Sequence, residues 1–381
     1  MKVVFVGGGT GGHINPALSI AGYLQKREPG TKILYIGAKG GIEERLVPLA
    51  GYNLKTITIT GFQRKITPQN IIRNVGTVKN LLTASIQAKK LLKEFQPDVC
   101  VGTGGYVSGP VIREAAKLKI PTVIHESNAL PGKTIKWLSS SVDTVLLALA
   151  DSKKYFGKNV NCAVTGNPVR EEIIKADEKQ SRRDLGIEDD RPLILSFGGS
   201  LGAEAINSAV IHMLAESAKE KKFHHIHGYG GNDDSFLKRL SDSGFKQEEN
   251  PQIKILPYLD NMPQCLAAAN LVISRAGAMT LSEIEAKGKA SILIPSPNVA
   301  ENHQYFNSKA LVDKNAAKMI EEKDLSGVKL WALVKSLAGD SASLSLLAEN
   351  AHKLQNFDAN SRIYREIKRA VKMKEKKESK T

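Results

Sequence analysis

Cysteine is scarce here. Cys100, Cys162 and Cys265 are the only three in 381 residues, an odd and scattered set without CxxC spacing. Such a set excludes a disulfide framework and a cysteine metal site, and it fits a reduced, cytosolic setting. Long apolar runs are lacking too: no stretch reaches the roughly 18 uninterrupted apolar residues of a membrane-spanning helix. The opening MKVVFVGGGTGGH has a short apolar run that ends in glycines, not at a small-residue cleavage site. It reads as a buried first strand rather than a secretory signal. No DxD triplet occurs, which weighs against a nucleotide sugar held through a carboxylate-bound metal. Aromatic residues make up only 6%, and no nucleic-acid module signature is present, so a nucleic-acid partner is not expected.

Positive charge, by contrast, is in excess. The formal net charge is +15, and it is concentrated in two segments. Between Arg362 and Thr381 nine Lys/Arg stand against three Glu, and between Phe62 and Phe95 seven (Arg64, Lys65, Arg73, Lys79, Lys89, Lys90, Lys93) stand against Glu94. One reading is a solvated tail and a solvated helix face. The other is attraction to an anionic surface, for which lipid is the better partner.

Short β-branched runs alternate with helical patterns along the whole chain. The spacing predicts strands over Lys2–Val6, Lys32–Ile36, Lys55–Thr60, Asp98–Val101, Thr122–His125, Thr144–Leu147 and Asn161–Thr165. A second series follows over Leu193–Phe197, His224–Gly228, Lys254–Leu256, Leu271–Ser274, Ser291–Ile294 and Ala317–Ile320. Continuous apolar strands with helices between them imply an α/β fold with parallel sheets covered on both faces. Each series opens with a strand, a glycine turn and a helix: GGGTGGH at Gly7–His13 and GGSLGAE at Gly198–Glu204. The expected architecture is two tandem Rossmann-like doubly wound domains with a cleft between them. We expect the first at 1–165 and the second at 166–349, with a linker near Gly166–Arg170, where Asn-Pro favours a turn. A last helical stretch over about Ala342–Lys374 has no strand after it; its part at 350–375 is expected to cross back onto the first domain, leaving a basic tail at 376–381.

Several loops carry chemistry. Gly7, Gly9 and Gly12 satisfy GxGxxG, a spacing that lets backbone approach a pyrophosphate seated on a helix N-terminus. A dinucleotide site also wants an acid at the end of the second strand; that strand ends Tyr35-Ile36-Gly37-Ala38-Lys39, so a nicotinamide cofactor is disfavoured. Five glycines among residues 7–12 exceed what a tight turn requires. His13 closes this loop, either as a helix-terminal polar residue or as a base or phosphate contact. A second glycine-rich turn, Gly102–Pro110, follows another apolar strand and implies a second anionic group. His125-Glu126-Ser127-Asn128 ends the next strand with polar groups suited to sugar or base contact, or merely to a loop. Pro131-Gly132-Lys133-Thr134 fails as a Walker A loop, because Ser127 stands where its first glycine belongs.

In the second half, Ser274–Glu283 delivers Arg275, a small-residue turn and a helix start that suits a diphosphate. Glu283 suits ribose hydroxyls or serves as a capping acid. Glu301-Asn302-His303-Gln304 offers neutral polar groups fit for sugar hydroxyls. His224, His225 and His227 do not read as a metal cluster, since strand alternation sends His224 and His225 to opposite faces. No metal and no cofactor are expected.

Seven segments in this order, GGGTGGH, GGYVSG, HESN, GNPVR, GGSLGA, SRAGAMTLSE and NHQ, resemble the MurG family of peptidoglycan N-acetylglucosaminyltransferases across essentially the whole chain. The resemblance implies an inverting glycosyltransferase of the B architecture. It would move N-acetylglucosamine from UDP to the muramyl 4-hydroxyl of lipid I, giving lipid II, on the cytoplasmic face of the bacterial membrane. Carried over by motif, UDP-N-acetylglucosamine would meet Thr10, Gly11, Gly12, Asn128, Arg170, Ser200, Leu259, the turn Ala278, Met279, Thr280, Leu281, Ser282 and Glu283, and Gln304. Gly104 and Gly105 would face the acceptor pyrophosphate, with His13 as first candidate for the general base and Glu126 as second. Cell-wall synthesis and division proteins would be further partners, beside the anionic membrane surface. His303 departs from the Gln of many members, which bears on one sugar contact.

Overall fold

The computed structural model describes residues 1–59, 68–199, 201–231, 233, 235–356 and 358–378, with the backbone alone for 68–79, 300, 377 and 378. Two compact units emerge, 1–168 together with 358–381, and 169–357.

The first unit is built on a seven-stranded sheet of β1 (Lys2–Val6), β2 (Lys32–Ala38), β3 (Asn53–Ile57), β4 (Val99–Gly102), β5 (Thr122–Glu126), β6 (Thr144–Leu147) and β7 (Cys162–Val164). All its pairings are parallel, in the order β3-β2-β1-β4-β5-β6-β7. Strand alternation divides its core. Val4 and Val6 join Ala84, Val111 and Ile112 on one face, while Val3 and Phe5 join Ile14, Ala17 and Ile363 on the other. That is why β1 is apolar at every position from Val3 to Val6: both faces are covered by helices. The helices that matter below are α1 (Gly11–Arg27), α2 (Glu43–Leu49), α3 (Pro68–Phe95), α4 (Ser108–Lys117) and α5 (Lys133–Leu138).

The second unit repeats the plan with β8 (Leu193–Phe197), β9 (His224–Gly228), β10 (Ile253–Leu256), β11 (Leu271–Ser274), β12 (Ala290–Leu293) and β13 (Lys318–Met319). Its parallel order is β10-β9-β8-β11-β12-β13. Every strand expected from the sequence forms, five with the expected bounds and the others with ends displaced by a few residues, though the expected end at Thr60 lies outside the described residues. The two units are tandem Rossmann-like domains. In each sheet the order reverses beside the opening strand, between β1 and β4 and between β8 and β11. Ligands of doubly wound sheets bind at the carboxyl ends of strands at such a switch point, and there the glycine turns lie.

The last helical stretch is two helices, not one. Ser341–Leu354 buries Leu347 and Ala351 in the second unit; Ala359–Glu378 buries Ile363, Ile367 and Ala370 against the first sheet and α1. The two helices present their apolar faces to different cores. Tyr364 and Lys368 both donate to Glu28 at the end of α1, each at 2.7 Å.

Candidate active site

The loop after β1 and the loop after β4 interlock. Gly8 N–H donates to the Gly104 carbonyl at 3.3 Å. Gly9, Gly104 and Gly105 have φ of +83°, +104° and +81°, the left-handed region that glycine alone enters cheaply. A Cβ on Gly105 would stand 2.1 Å from the Gly8 oxygen, and one on Gly104 would meet the His13 ring at 2.7 Å. The Thr103 hydroxyl donates to the His13 carbonyl at 2.6 Å, and Ser108 donates to the Gly104 carbonyl at 2.6 Å. Tyr35, buried in β2, donates to the Gly7 carbonyl at 2.7 Å. Beyond this knot α1 begins, and its first turn leaves the Gly11 and Gly12 amides without helical acceptors, in the positive field of the helix end.

His13 sits half-buried at the edge of the two turns. Its Nδ1 lies 3.2 Å from the Gly8 carbonyl and 3.1 Å from the Thr10 hydroxyl. A carbonyl can only accept, so Nδ1 carries a proton there, while Nε2 lies toward Gly104.

Glu126 and His125 are organised differently. Glu126 is buried, and its two oxygens accept from Asn128 N–H (2.8 Å), the Asn128 amide (2.9 Å) and Gly132 N–H (2.8 Å). Burial pushes its carboxyl above the ordinary range, and the Asn128 and Gly132 donors pull it back. The carboxylate thus shapes the loop that carries Asn128. His125 donates from Nε2 to the Gly166 carbonyl at 3.0 Å, and Asn167 donates to the Ser127 carbonyl at 3.1 Å. The HESN loop thereby anchors the segment where the chain leaves the first unit.

In the second unit the turn after β8 packs on the turn after β9: a Cβ on Gly202 would lie 2.2 Å from the Tyr229 oxygen. Ser200 lies outside the described residues. The helix Ala278–Lys287 opens after Gly277 with no acid in its first turn, so its amides face the loop uncompensated. Met279, Leu281 and Leu259 are buried apolar side chains. Glu283 and Arg170 pair at 3.4 Å with side chains 15% and 43% exposed; burial raises the Glu283 carboxyl and Arg170 partly offsets that. Gln304 accepts from Ser296 N–H at 2.9 Å through its side-chain oxygen, so its amide remains for other contacts.

His224 pairs with Asp189 at 2.8 Å, while buried His225 and His227 share the Ser196 hydroxyl at 2.7 Å each. Among the described residues no group of three His, Cys, Asp or Glu could hold a metal ion. Sequence reasoning passed over Thr103, Tyr106 and Glu43, which brace the first loop. Their signal lay in glycines whose missing side chains make room: Gly7 for Thr103, Gly9 for Tyr106, and Gly8, Gly37 and Gly41 for Glu43.

The glycosyltransferase family 28 N-terminal domain model matches residues 3–147, and the glycosyltransferase family 28 C-terminal domain model matches residues 193–364. The chain is 43% identical over 375 residues to the UDP-N-acetylglucosamine--N-acetylmuramyl-(pentapeptide) pyrophosphoryl-undecaprenol N-acetylglucosamine transferase of Acetivibrio thermocellus, covering 98% of this chain and 99% of that one. It is 44% identical over 369 residues to the protein of the same name from a Thermoanaerobacter species, covering 97% and 99%. The crystal structure of Acinetobacter baumannii MurG superposes with a TM-score of 0.73 at 27% identity, covering 97% and 99%. Two Rossmann-like sheets, glycine turns at both switch points and these matches over both halves lead to one conclusion: the chain belongs to glycosyltransferase family 28 and has its two-domain B architecture.

Proposed function

We propose that this enzyme transfers N-acetylglucosamine from UDP-N-acetylglucosamine to the muramyl 4-hydroxyl of lipid I, forming lipid II for peptidoglycan. The observation that carries the reading is the pairing of glycine turns with bare helix starts at both switch points, in a chain more than 40% identical over nearly its full length to transferases named for this reaction.

The first unit serves the acceptor. Gly104 and Gly105 take its pyrophosphate on backbone that approaches without a side chain. His13 Nε2 removes the proton of the attacking hydroxyl as that oxygen bonds to C1 of the transferred sugar. The C1–phosphate bond breaks with inversion, and its electron pair leaves on UDP. The second unit serves the donor: the amides from Ala278 onward and Arg170 stabilise the charge that develops on the diphosphate, with no proton needed there. Ser200 adds a phosphate contact, Glu283 takes the ribose hydroxyls, and Asn128, with Gln304, addresses the sugar. Thr10, Gly11 and Gly12 complete the donor contacts beside the base.

The acceptor is lipid-linked, and no described helix is long and apolar enough to cross a membrane. We place the enzyme peripherally on the membrane that carries this acceptor, on its cytoplasmic face. Supporting this, Leu82 and Ile86 of α3 are 67% and 71% exposed, and Trp137 of α5 is 48% exposed with Arg113 5.2 Å from its ring. Apolar side chains flanked by cations suit an anionic bilayer surface. The side chains of Ile71, Ile72, Arg73, Val75, Val78 and Lys79 lie outside those described. Cell-wall synthesis and division proteins are proposed as further partners. The test is turnover of radiolabelled UDP-N-acetylglucosamine with a lipid I analogue. A lipid-linked disaccharide is expected; UDP release independent of acceptor would overturn the reading in favour of hydrolysis or epimerisation.

A further inference from the structure

A fully buried carboxylate stands directly behind the first glycine turn. Glu43, at the start of α2, has no exposed surface. Three glycines make its space: a Cβ on Gly8, Gly37 or Gly41 would lie 1.8, 3.0 or 2.2 Å from a Glu43 side-chain atom. Its Oε1 accepts from Gly9 N–H at 3.1 Å, and its Oε2 is buried without a hydrogen-bond partner. The same peptide group ends in the Gly8 carbonyl, which accepts from His13 Nδ1 at 3.2 Å. Among the described residues no peptide bond is cis, so the Gly8–Gly9 N–H and C=O point in opposite directions. Glu43 and His13 thus bond to the two ends of one rigid, polar plane.

We propose that Glu43 is a positioning residue for His13, acting through the Gly8–Gly9 peptide. Its negative charge draws on the Gly9 N–H and polarises the peptide, so the Gly8 carbonyl becomes a stronger acceptor for His13 Nδ1–H. Two effects follow. The ring is held with its proton on Nδ1, and the imidazolium that forms when Nε2 takes a proton is stabilised. A buried carboxylate does the same directly in hydrolase triads; here a peptide group stands between. Two phenols face this charge. Tyr35 on β2 and Tyr106 after β4 are both raised by burial and then by Glu43, so neither ionises near neutral pH. Around His13 stand the Thr10 and Thr103 hydroxyls and the backbone of Gly8 and Gly104.

The proposal rests on His13 as the base, and its test separates the two. In the full-length protein, the His13 ring would be titrated by NMR with labelled histidine in wild type and in Glu43→Gln, alongside the pH dependence of kcat. Gln keeps an oxygen for Gly9 N–H but removes the charge. The expected result is a His13 titration lowered by roughly half a unit to one unit, a kcat lowered about tenfold and a donor KM unchanged. A folded Glu43→Gln protein whose His13 titrates as in wild type overturns the proposal. A shifted titration with an unmoved pH–rate profile supports the link and overturns His13 as base. If Glu43→Gln does not fold, the wild-type Gly9 amide resonance decides: it must move with the His13 midpoint, and an amide that stays put overturns the link.

Discussion

At the residue scale, His13 and Glu126 were both candidates for the base, and their surroundings set them apart. His13 sits half-buried at a loop edge, held through Nδ1, whereas both oxygens of Glu126 accept from the Asn128–Gly132 loop. Replacing His13 by Ala is expected to lower kcat by ~10²–10⁴ with donor KM little changed, as for loss of a positioned base. Replacing Glu126 by Ala strands buried donors at ~1–3 kcal/mol each, so a lower denaturation midpoint should accompany weaker donor binding. The reverse pattern, with turnover lost at unchanged stability in Glu126→Gln, would make Glu126 the base. The sequence showed which loops matter but not this division of labour. Glu43 was hidden for a related reason. In GGIEERL it reads as an ordinary acid at a helix start, and only the sheet brings Gly8 and Gly37 around it.

At the element scale, the fold was legible because strand and helix periods differ and most strands are bounded by Gly or Pro. The division of the last stretch into two helices was not, since both are amphipathic and differ in which core receives them. The interlock of the two turns was half legible: its glycines stood out, but the contact between residues near 8 and near 105 is tertiary. Its cost can be measured. Gly105→Ala forces a Cβ to within 2.1 Å of the Gly8 oxygen at a φ of +81°, and should destabilise by about 1–3 kcal/mol while depressing turnover. Gly22→Ala, inside α1 with only a 3.6 Å contact to Tyr52, should stabilise by about 0.4–1 kcal/mol. Equal effects in urea unfolding would show that the interlock adds nothing.

At the scale of the whole molecule, both units bury neutral histidines, and both face the membrane question. Burial lowers His125 to about 4 in the first unit and His227 to about 3 in the second, and lowers His225 as well. Their unfolded values lie near ~6.5, so below that pH the unfolded chain takes up protons that the folded one refuses. Stability is therefore full above ~6.5 and falls toward the folded values, by up to ~1.4 kcal/mol per pH unit for each ring. Urea midpoints at pH 7.5 and 5.5 test this; a flat profile would mean that these rings are hydrated. Charge works at the surface instead. With a net charge of +15, binding to anionic vesicles should be strong at low salt and fade as the Debye length shrinks. Attraction of the whole molecule, however, would survive any single reversal, whereas seating through α5 would not. Lys133→Glu removes a cation one helical turn before exposed Trp137, and Trp137→Ala removes the apolar anchor without changing charge. We expect both variants to bind vesicles of anionic lipid more weakly and to lose activity on bilayer-embedded acceptor, while a short-chain soluble acceptor is turned over at the wild-type rate. Undiminished vesicle binding by Trp137→Ala at physiological salt would leave only diffuse attraction and remove α5 from the membrane contact.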